Sequence, residues 1–289
     1  MKVLVTIPHY FNPVGSGAYG STGGALTQRV QAFSECVRSL VRNFGASQAF
    51  LMRLDSKIAG KGHLSKVNQK GVRSLDIMVC TSGAAHLLDQ LSISNARMRQ
   101  VSVEGDPMRL GFGAHQVLKS FLGQYDYYCY MEDDLAIEDG LLFEKLRWFS
   151  SQFGDEAVLF PHRFECALRS PLQKLYIDGR VREDFSARWQ DITEQQYLAA
   201  EVMGTGVQFE RWPNPHSGCF FLNAAQMQRW SESSFFGDGD VSFAGPLESA
   251  ATLGAVKAFR VYKPSLEHAN FFEIRHCHNR YLGGALRSV

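Results

Sequence analysis

No stretch of this 289-residue chain approaches the roughly 18 consecutive apolar residues that a membrane-spanning helix needs. Charge of one sign is also missing. The net charge is +1, so nothing points to a nucleic-acid duplex or an anionic membrane as the main partner. The six cysteines (Cys36, Cys80, Cys129, Cys166, Cys219, Cys277) stand far apart and never form Cys-x-x-Cys. Several lie inside apolar runs such as Tyr127-Tyr128-Cys129-Tyr130, which fits buried free thiols of a cytoplasmic protein and argues against a disulfide framework. No internal repeat, low-complexity stretch or linker divides the chain. The apolar run in Met1–Pro8 is too short for a signal peptide and ends in Pro8-His9-Tyr10 without a small-residue cleavage site, so a buried first strand is expected there.

What is present is an ordinary globular composition, 45% hydrophobic, with 21 phenylalanines that imply a large aromatic core or stacking platforms. The length suits one large domain or two closely fused lobes. Short apolar runs alternate with helical patterns through the first half. Val3–Ile7, Ala49–Leu54, Leu75–Cys80, Met98–Val103 and Tyr125–Met131 read as strands. Val30, Phe33, Val37, Leu40, Val41 and Phe44 share one face at a period near 3.6, with Gly45 as a stop. A short helix is expected at Ala84–Leu91, another at Gly111–Leu122, and a third with Leu142, Leu146, Phe149 and Phe153 on its apolar face and Asp139 as a cap. This alternation predicts an α/β fold with a mostly parallel central sheet covered on both sides. Beyond about residue 155 the pattern loosens. It predicts a helix at Thr193–Val202, a strand at Gly218–Leu222, a helical stretch at Ala224–Trp230, and a loop passing into a helix at Gly245–Leu253. The chain thus divides into a regular half, 1–155, and a smaller α+β half, 156–289, within one continuous domain.

The most informative motif is Glu132-Asp133-Asp134, directly after the Tyr127–Met131 run. Three carboxylates side by side raise one another's proton affinity unless a cation neutralises them. An acidic turn that caps the next helix is one reading. The other is a ligand site, and the position at the carboxyl end of a buried strand, where open parallel sheets bind ligands, favours it. A hard cation with oxygen ligands, Mg²⁺ or Mn²⁺, suits carboxylates beside a diphosphate.

The stretch Asp126-Tyr127-Tyr128-Cys129-Tyr130-Met131-Glu132-Asp133-Asp134 resembles the DxD region of GT-A glycosyltransferases, especially the family-2-like group, and the Gly111-Phe112-Gly113-Ala114-His115 helix start is similar to theirs too. The resemblance implies a GT-A-like, Rossmann-like fold in which 1–155 binds a nucleotide-sugar and 156–289 binds the acceptor. By it, Asp134 holds the metal, Glu132 contacts ribose or metal, and Asp133 lies with them on the donor side. Glu132 stands where the family more often has Asp. Pro8-His9-Tyr10-Phe11-Asn12 resembles the opening strand and nucleotide-pocket loop, which places Pro8 and Tyr10 at the donor. Asp55-Ser56 resembles the acidic position that bonds the nucleobase, without the fuller Asp-Asp-Gly-Ser pattern. Pro215–Leu222 resembles the acceptor-side glycine-containing strand.

Glu248, at a loop-to-helix junction, is the candidate base that inverting members place at the acceptor hydroxyl; helix capping or a salt bridge is the alternative. Asp240, with Asp238 in a glycine-rich turn, is the second candidate. His268, His276 and His278 cluster near the end of the chain, and some enzymes of this fold complete the metal shell with a C-terminal histidine, so His276 and His278 are candidate ligands. The Gly15–Gly24 loop, which matches neither a P-loop nor a dinucleotide fingerprint, suits a flap over the donor, with a plain surface loop as the alternative. Arg109 is a candidate partner of the diphosphate, with an ordinary surface arginine as the alternative. Trp189, Trp212 and Trp230 offer sugar-stacking faces, with core packing as their default role. The expected activity is metal-assisted transfer of a hexose or deoxyhexose from a nucleoside-diphosphate sugar to a hydroxyl of a glycan or lipid-linked glycan. No transmembrane segment is expected, although peripheral membrane association stays open. The alternatives are a sugar-nucleotide pyrophosphorylase, or a non-catalytic nucleotide- or carbohydrate-binding protein.

Overall fold

The computed structural model describes residues 1–14, 21–46, 48–52, 64–68, 70–91, 93, 97–167, 172–182, 185–278 and 280–285. In chain order the elements begin with β1 (Lys2–Pro8), α1 (Leu26–Phe44), β2 (Phe50–Met52), β3 (Leu64–Lys66), β4 (Ser74–Thr81) and β5 (Met98–Ser102). Then follow α2 (Leu110–Ser120), β6 (Tyr127–Met131), β7 (Leu135–Ala136), α3 (Leu142–Phe153), β8 (Ala157–Leu159) and β9 (His162–Cys166). The less regular half supplies β10 (Lys174–Tyr176), β11 (Tyr197–Val202), β12 (Thr205–Glu210), β13 (Cys219–Asn223), α4 (Ala224–Glu232), α5 (Pro246–Ala258), β14 (Arg260–Pro264), β15 (Glu273–His276) and α6 (Arg280–Ala285).

The protein is an α/β fold around a five-stranded sheet ordered β13-β6-β1-β4-β5. Its four strands from the first half run parallel, and β13 joins antiparallel to β6. Strands β1, β4 and β6 are almost wholly buried, as apolar runs covered on both faces must be. One face packs on Phe33, Val37 and Leu40 of α1 and Phe143 and Phe149 of α3. The other packs on Leu110, Ala114 and Leu118 of α2, with Trp230 of α4 and Ala251 and Ala255 of α5. Aromatic contacts knit this second layer, Tyr130 stacking on Phe220 with ring centroids 5.3 Å apart and His115 meeting Trp230 edge-on at 4.9 Å. The six cysteines are free thiols, four of them buried. Among the described residues no helix is long and apolar enough to cross a membrane.

Four local expectations are corrected. Thr193–Val202, rich in helix-forming Glu, Gln, Leu and Ala, contains strand β11, paired antiparallel with β12 through Met203-Gly204. Both turn residues have positive φ (51° and 80°), the conformation that favours a two-residue hairpin and settles the local competition. Of the expected strand at Ala49–Leu54, the described part forms β2, which among the described residues pairs with β3 and not with the central sheet, and every residue of both is exposed. Ala84–Leu91 holds one 3-10 turn, Leu88–Gln90. Asp139 lies two residues ahead of the Leu141 N-cap of α3, where its Oδ1 accepts from Leu141 N at 2.8 Å.

Candidate functional site

The chain turns sharply as it leaves β6, and three separate elements hold that turn. Glu132 N donates to Gly218 O (2.9 Å) just before β13, Cys277 N donates to Asp134 O (2.7 Å) at the end of β15, and the Cys36 thiol of α1 reaches Glu132 O at 3.7 Å. Ser39 of α1 clamps the next residues by accepting from Ile137 N at 3.0 Å. Register then does the rest. Strand β15 runs antiparallel to β7 with His276 opposite Leu135, so the C-terminal histidines arrive beside the acidic turn. Gly218 is required at the seam. Its φ is +64°, and a Cβ there would lie 2.6 Å from Glu132 Oε2.

Glu132, Asp133 and Asp134 line a cavity of about 1300 Å³ at the carboxyl ends of β1 and β6. The cavity is also walled by Pro8, Tyr10, Arg29, Arg163, Glu248, His276 and His278. The carboxylates have opposite environments. Asp133 is closed off: Arg29 Nη2 donates to Oδ1 and Oδ2 at 2.7 and 2.6 Å, and His9 Nδ1 lies 2.5 Å from Oδ2. Leu87 N donates to His9 Nε2 (2.9 Å), so the ring proton is on Nδ1 and points at Asp133. Burial works to raise the Asp133 carboxyl, but Arg29 and His9 outweigh it and hold the group well below the usual carboxylate range.

Asp134 is open. Its Oδ1 is buried with no hydrogen-bond partner among the described residues. Its Oδ2 has His276 Nε2 at 3.7 Å, His278 Nε2 at 3.6 Å and Arg29 Nη1 at 3.4 Å. Glu132 is also incompletely paired, with Oε1 orphaned and Oε2 3.6 Å from Arg163 Nη1. Burial raises its carboxyl, and Asp134 and Glu248 add to that against the opposing pull of Arg163, leaving it near 8. Glu248 sits in the first turn of α5, with its Oε2 likewise buried and unpartnered. The Tyr130 hydroxyl, which feels both glutamates, is a further orphaned polar atom, buried behind Gly111 of the cavity wall. An orphaned buried polar group costs roughly 1–3 kcal/mol, and the three carboxylate oxygens are free to accept from a ligand in the cavity.

The donor set also fits a divalent cation. A carboxylate with an orphaned oxygen and two imidazole Nε2 atoms suit Mn²⁺. His276 Nδ1 is engaged by the buried Glu165 Oε1 at 2.9 Å, the outer arrangement that metal-bound imidazoles favour. Among the described residues no three His, Cys, Asp or Glu side chains are drawn together into a formed cation site. The Arg29 guanidinium supplies the positive charge in that gap, its Nη1 3.1 Å from His278 Nε2. Burial lowers the proton affinity of His276, but Glu165 and Asp134 outweigh it and raise it above an ordinary imidazole.

Other candidates fall elsewhere. Asp238 and Asp240 pair with Lys257 at 2.6 and 2.7 Å, and neither lines the cavity. Arg109 Nη2 donates to Gly239 O at 2.7 Å and its guanidinium stacks over Phe112, also away from the cavity wall. His268 bonds Ser265 at 3.1 Å. Trp212 and Trp230 are buried in the core, and none of the three tryptophans discussed lines the cavity. Asp55 and residues 15–20 of the small-residue loop lie outside the described residues, whereas Ser21, Thr22 and Gly24 do line the cavity. Sequence reasoning missed His9, Arg29, Arg163 and Glu165. Arg29 had a signal, since it lies four residues before Phe33 on the buried stripe of α1, where an arginine needs an acidic partner.

No protein-family model matches the chain, and no curated protein matches it. Similar solved structures include residues 1–349 of S. aureus TarS, at 10% identity and a TM-score of 0.44, covering 95% of this chain and 60% of that one. The same protein in complex with UDP-GlcNAc matches at 10% identity and a TM-score of 0.40, covering 95% and 58%. Its complex with UDP matches at 10% identity and 0.44, covering 95% and 60%. The chain therefore spans less than two thirds of the length of these structures.

Proposed function

We propose that the protein is a glycosyltransferase that moves a sugar from a nucleoside-diphosphate donor to a hydroxyl of a glycan or lipid-linked glycan, with inversion at the anomeric carbon. One observation carries this reading: Glu132, Asp134 and Glu248, each with one oxygen that has no partner among the described residues, line one cavity at the carboxyl ends of parallel strands, where two imidazoles approach the second oxygen of Asp134. The cavity is large enough for a donor and part of an acceptor.

In this reading Asp134, His276 and His278 would hold Mn²⁺ or Mg²⁺, whose charge would offset that of the donor diphosphate and of the departing nucleoside diphosphate. Arg29, fixed by Asp133, keeps a second positive charge beside the leaving group. Pro8 and Tyr10 wall the nucleotide side. Glu132, with one oxygen unpartnered among the described residues, meets a donor hydroxyl. Glu248 Oε2 accepts the acceptor's proton as the acceptor oxygen bonds to the anomeric carbon and the bond from that carbon to phosphate breaks.

The test is calorimetric binding of a panel of nucleoside diphosphates and their sugars, UDP and UDP-GlcNAc among them, with and without Mn²⁺. Binding that requires Mn²⁺, and that Asp134→Ala weakens by at least about a hundredfold, is expected from the loss of a direct metal ligand. Binding of no nucleotide, or an Asp134→Ala protein that binds as the wild type does, removes the proposal.

A further inference from the structure

The geometry points to Glu165 as a positioning residue that aims His276 Nε2 at Asp134 and makes that aim depend on the seating of the C-terminal segment. This rests on the glycosyltransferase reading above for its purpose, though not for its geometry. Glu165, on β9, is fully buried, and each of its oxygens has its own donor. Oε1 lies 2.9 Å from His276 Nδ1, and Oε2 accepts from Leu282 N at 2.7 Å in α6. His276 Nδ1 is also 2.9 Å from His278 O. With two acceptors on Nδ1, the ring carries its proton there and turns the Nε2 lone pair to the cavity. Residues Arg280 and Tyr281, immediately before Leu282, form part of the cavity wall. One carboxylate therefore ties a wall of the site to the aim of an imidazole. Releasing the Leu282 N–H frees Glu165 to rotate, and the ring loses the charged one of the two acceptors that set its tautomer. Nothing in the donor or acceptor chemistry uses Glu165 directly, so the pairing is what its burial serves.

Two variants and three measurements test this. Glu165→Gln removes the charge and presents an amide N–H to one of the two donors. Truncation after Arg280 leaves Glu165 and both imidazoles but removes the Leu282 amide. Nitrogen-15 spectra of the His276 ring, taken where it is neutral, are expected to show the Nδ1–H tautomer in the wild type and a shift towards Nε2–H in both variants. Hydrogen exchange at Leu282 is expected to accelerate in Glu165→Gln. Mn²⁺ affinity, read by electron paramagnetic resonance, is expected to fall roughly 10- to 100-fold in each variant. A wild-type ring protonated on Nε2, or unchanged tautomer and Mn²⁺ affinity in the truncated protein, overturns the assignment even if Glu165→Gln does not fold. Faster Leu282 exchange with unchanged Mn²⁺ affinity also overturns it, because the tie would then be merely structural. If the wild type binds neither Mn²⁺ nor nucleotide, the glycosyltransferase reading fails, while tautomer and exchange still decide the role of Glu165.

Discussion

Asp178 and Asp134 are both acidic side chains whose charges act on Arg163, and the fold treats them oppositely. Asp178 is saturated. It accepts from Arg163 N (3.1 Å), Nε (3.0 Å) and Nη2 (2.8 Å), and Lys263 Nζ lies at 3.3 Å. Burial works to raise its carboxyl, yet Arg163 and Lys263 hold it well below the ordinary range. Lys263 is itself fully buried and donates to His216 O at 2.5 Å. This cluster has spent its hydrogen-bonding capacity on the fold. Among the described residues, Asp134 has an oxygen with no partner, as do Glu132 and Glu248. Arg163 is the hinge between the regions, pairing fully with Asp178 and reaching Glu132 only at 3.6 Å. Saturated charge specifies structure, and unsaturated charge waits for a ligand.

If that division is right, a change on the open side should remove function and leave the fold intact. Glu248→Gln keeps the shape of the side chain and removes its capacity to take a proton. Transfer is expected to drop about 10²- to 10⁴-fold, with nucleotide binding within about twofold of wild type. Joint loss of binding and transfer, measured by calorimetry beside product formation, would move Glu248 to the structural side. On the saturated side the expectation reverses. Asp178→Ala strands Arg163 and Lys263 without their carboxylate and should cost about 3–5 kcal/mol in a denaturant titration. A loss below about 1 kcal/mol would erase the distinction between the two regions.

The seam between the regions gives a smaller effect. Gly218→Ala forces a side chain into φ +64° and into Glu132 Oε2, with an expected cost of about 1–3 kcal/mol. Stability equal to wild type would show that Glu132 is free to move and is not held by the turn.

What was readable in the sequence divides along the same line. The open side was legible: an acidic triplet after an apolar strand, a glutamate at a helix start and two histidines spaced by two are local patterns, and the structure brings these residues to one cavity. The parallel core was legible for a similar reason, since strands buried on both faces must be continuous apolar runs. The closed side was not. Arg29, His9 and Glu165 are ordinary within their own segments, and their meaning comes from partners more than a hundred residues away, Asp133 for the first two and His276 for the third. β11 shows the same limit, since its helix-forming residues are overruled by pairing with β12 and by the positive φ at Met203 and Gly204. Gly204 was the available signal.

The smallest effect is a pH dependence, and it bears on Glu132 alone. Its carboxyl is raised from 4.5 in the unfolded chain to about 8, burial being the first cause and Asp134 and Glu248 adding to it. Between those values the folded protein holds a proton that the unfolded chain has released, so stability falls as pH rises. Histidines complicate the lower part of the window. His115 and His162, pushed down to about 4 by burial, add stability as pH rises towards 6.5. Unfolded rings are still half protonated at 6.5, and His276, raised above that value, titrates in the same range, but both proteins share these groups, so it is the difference between them that is compared across pH 6.5–8. Glu132→Gln carries no titrating group at this position. The difference in unfolding free energy, wild type minus Glu132→Gln, is therefore expected to decline across that interval, by at most about 1.4 kcal/mol per pH unit. Denaturant midpoints of both proteins at several pH values measure it. A flat difference would mean that Glu132 is already ionised and paired with Arg163, placing it with Asp178 among the charges that serve the fold.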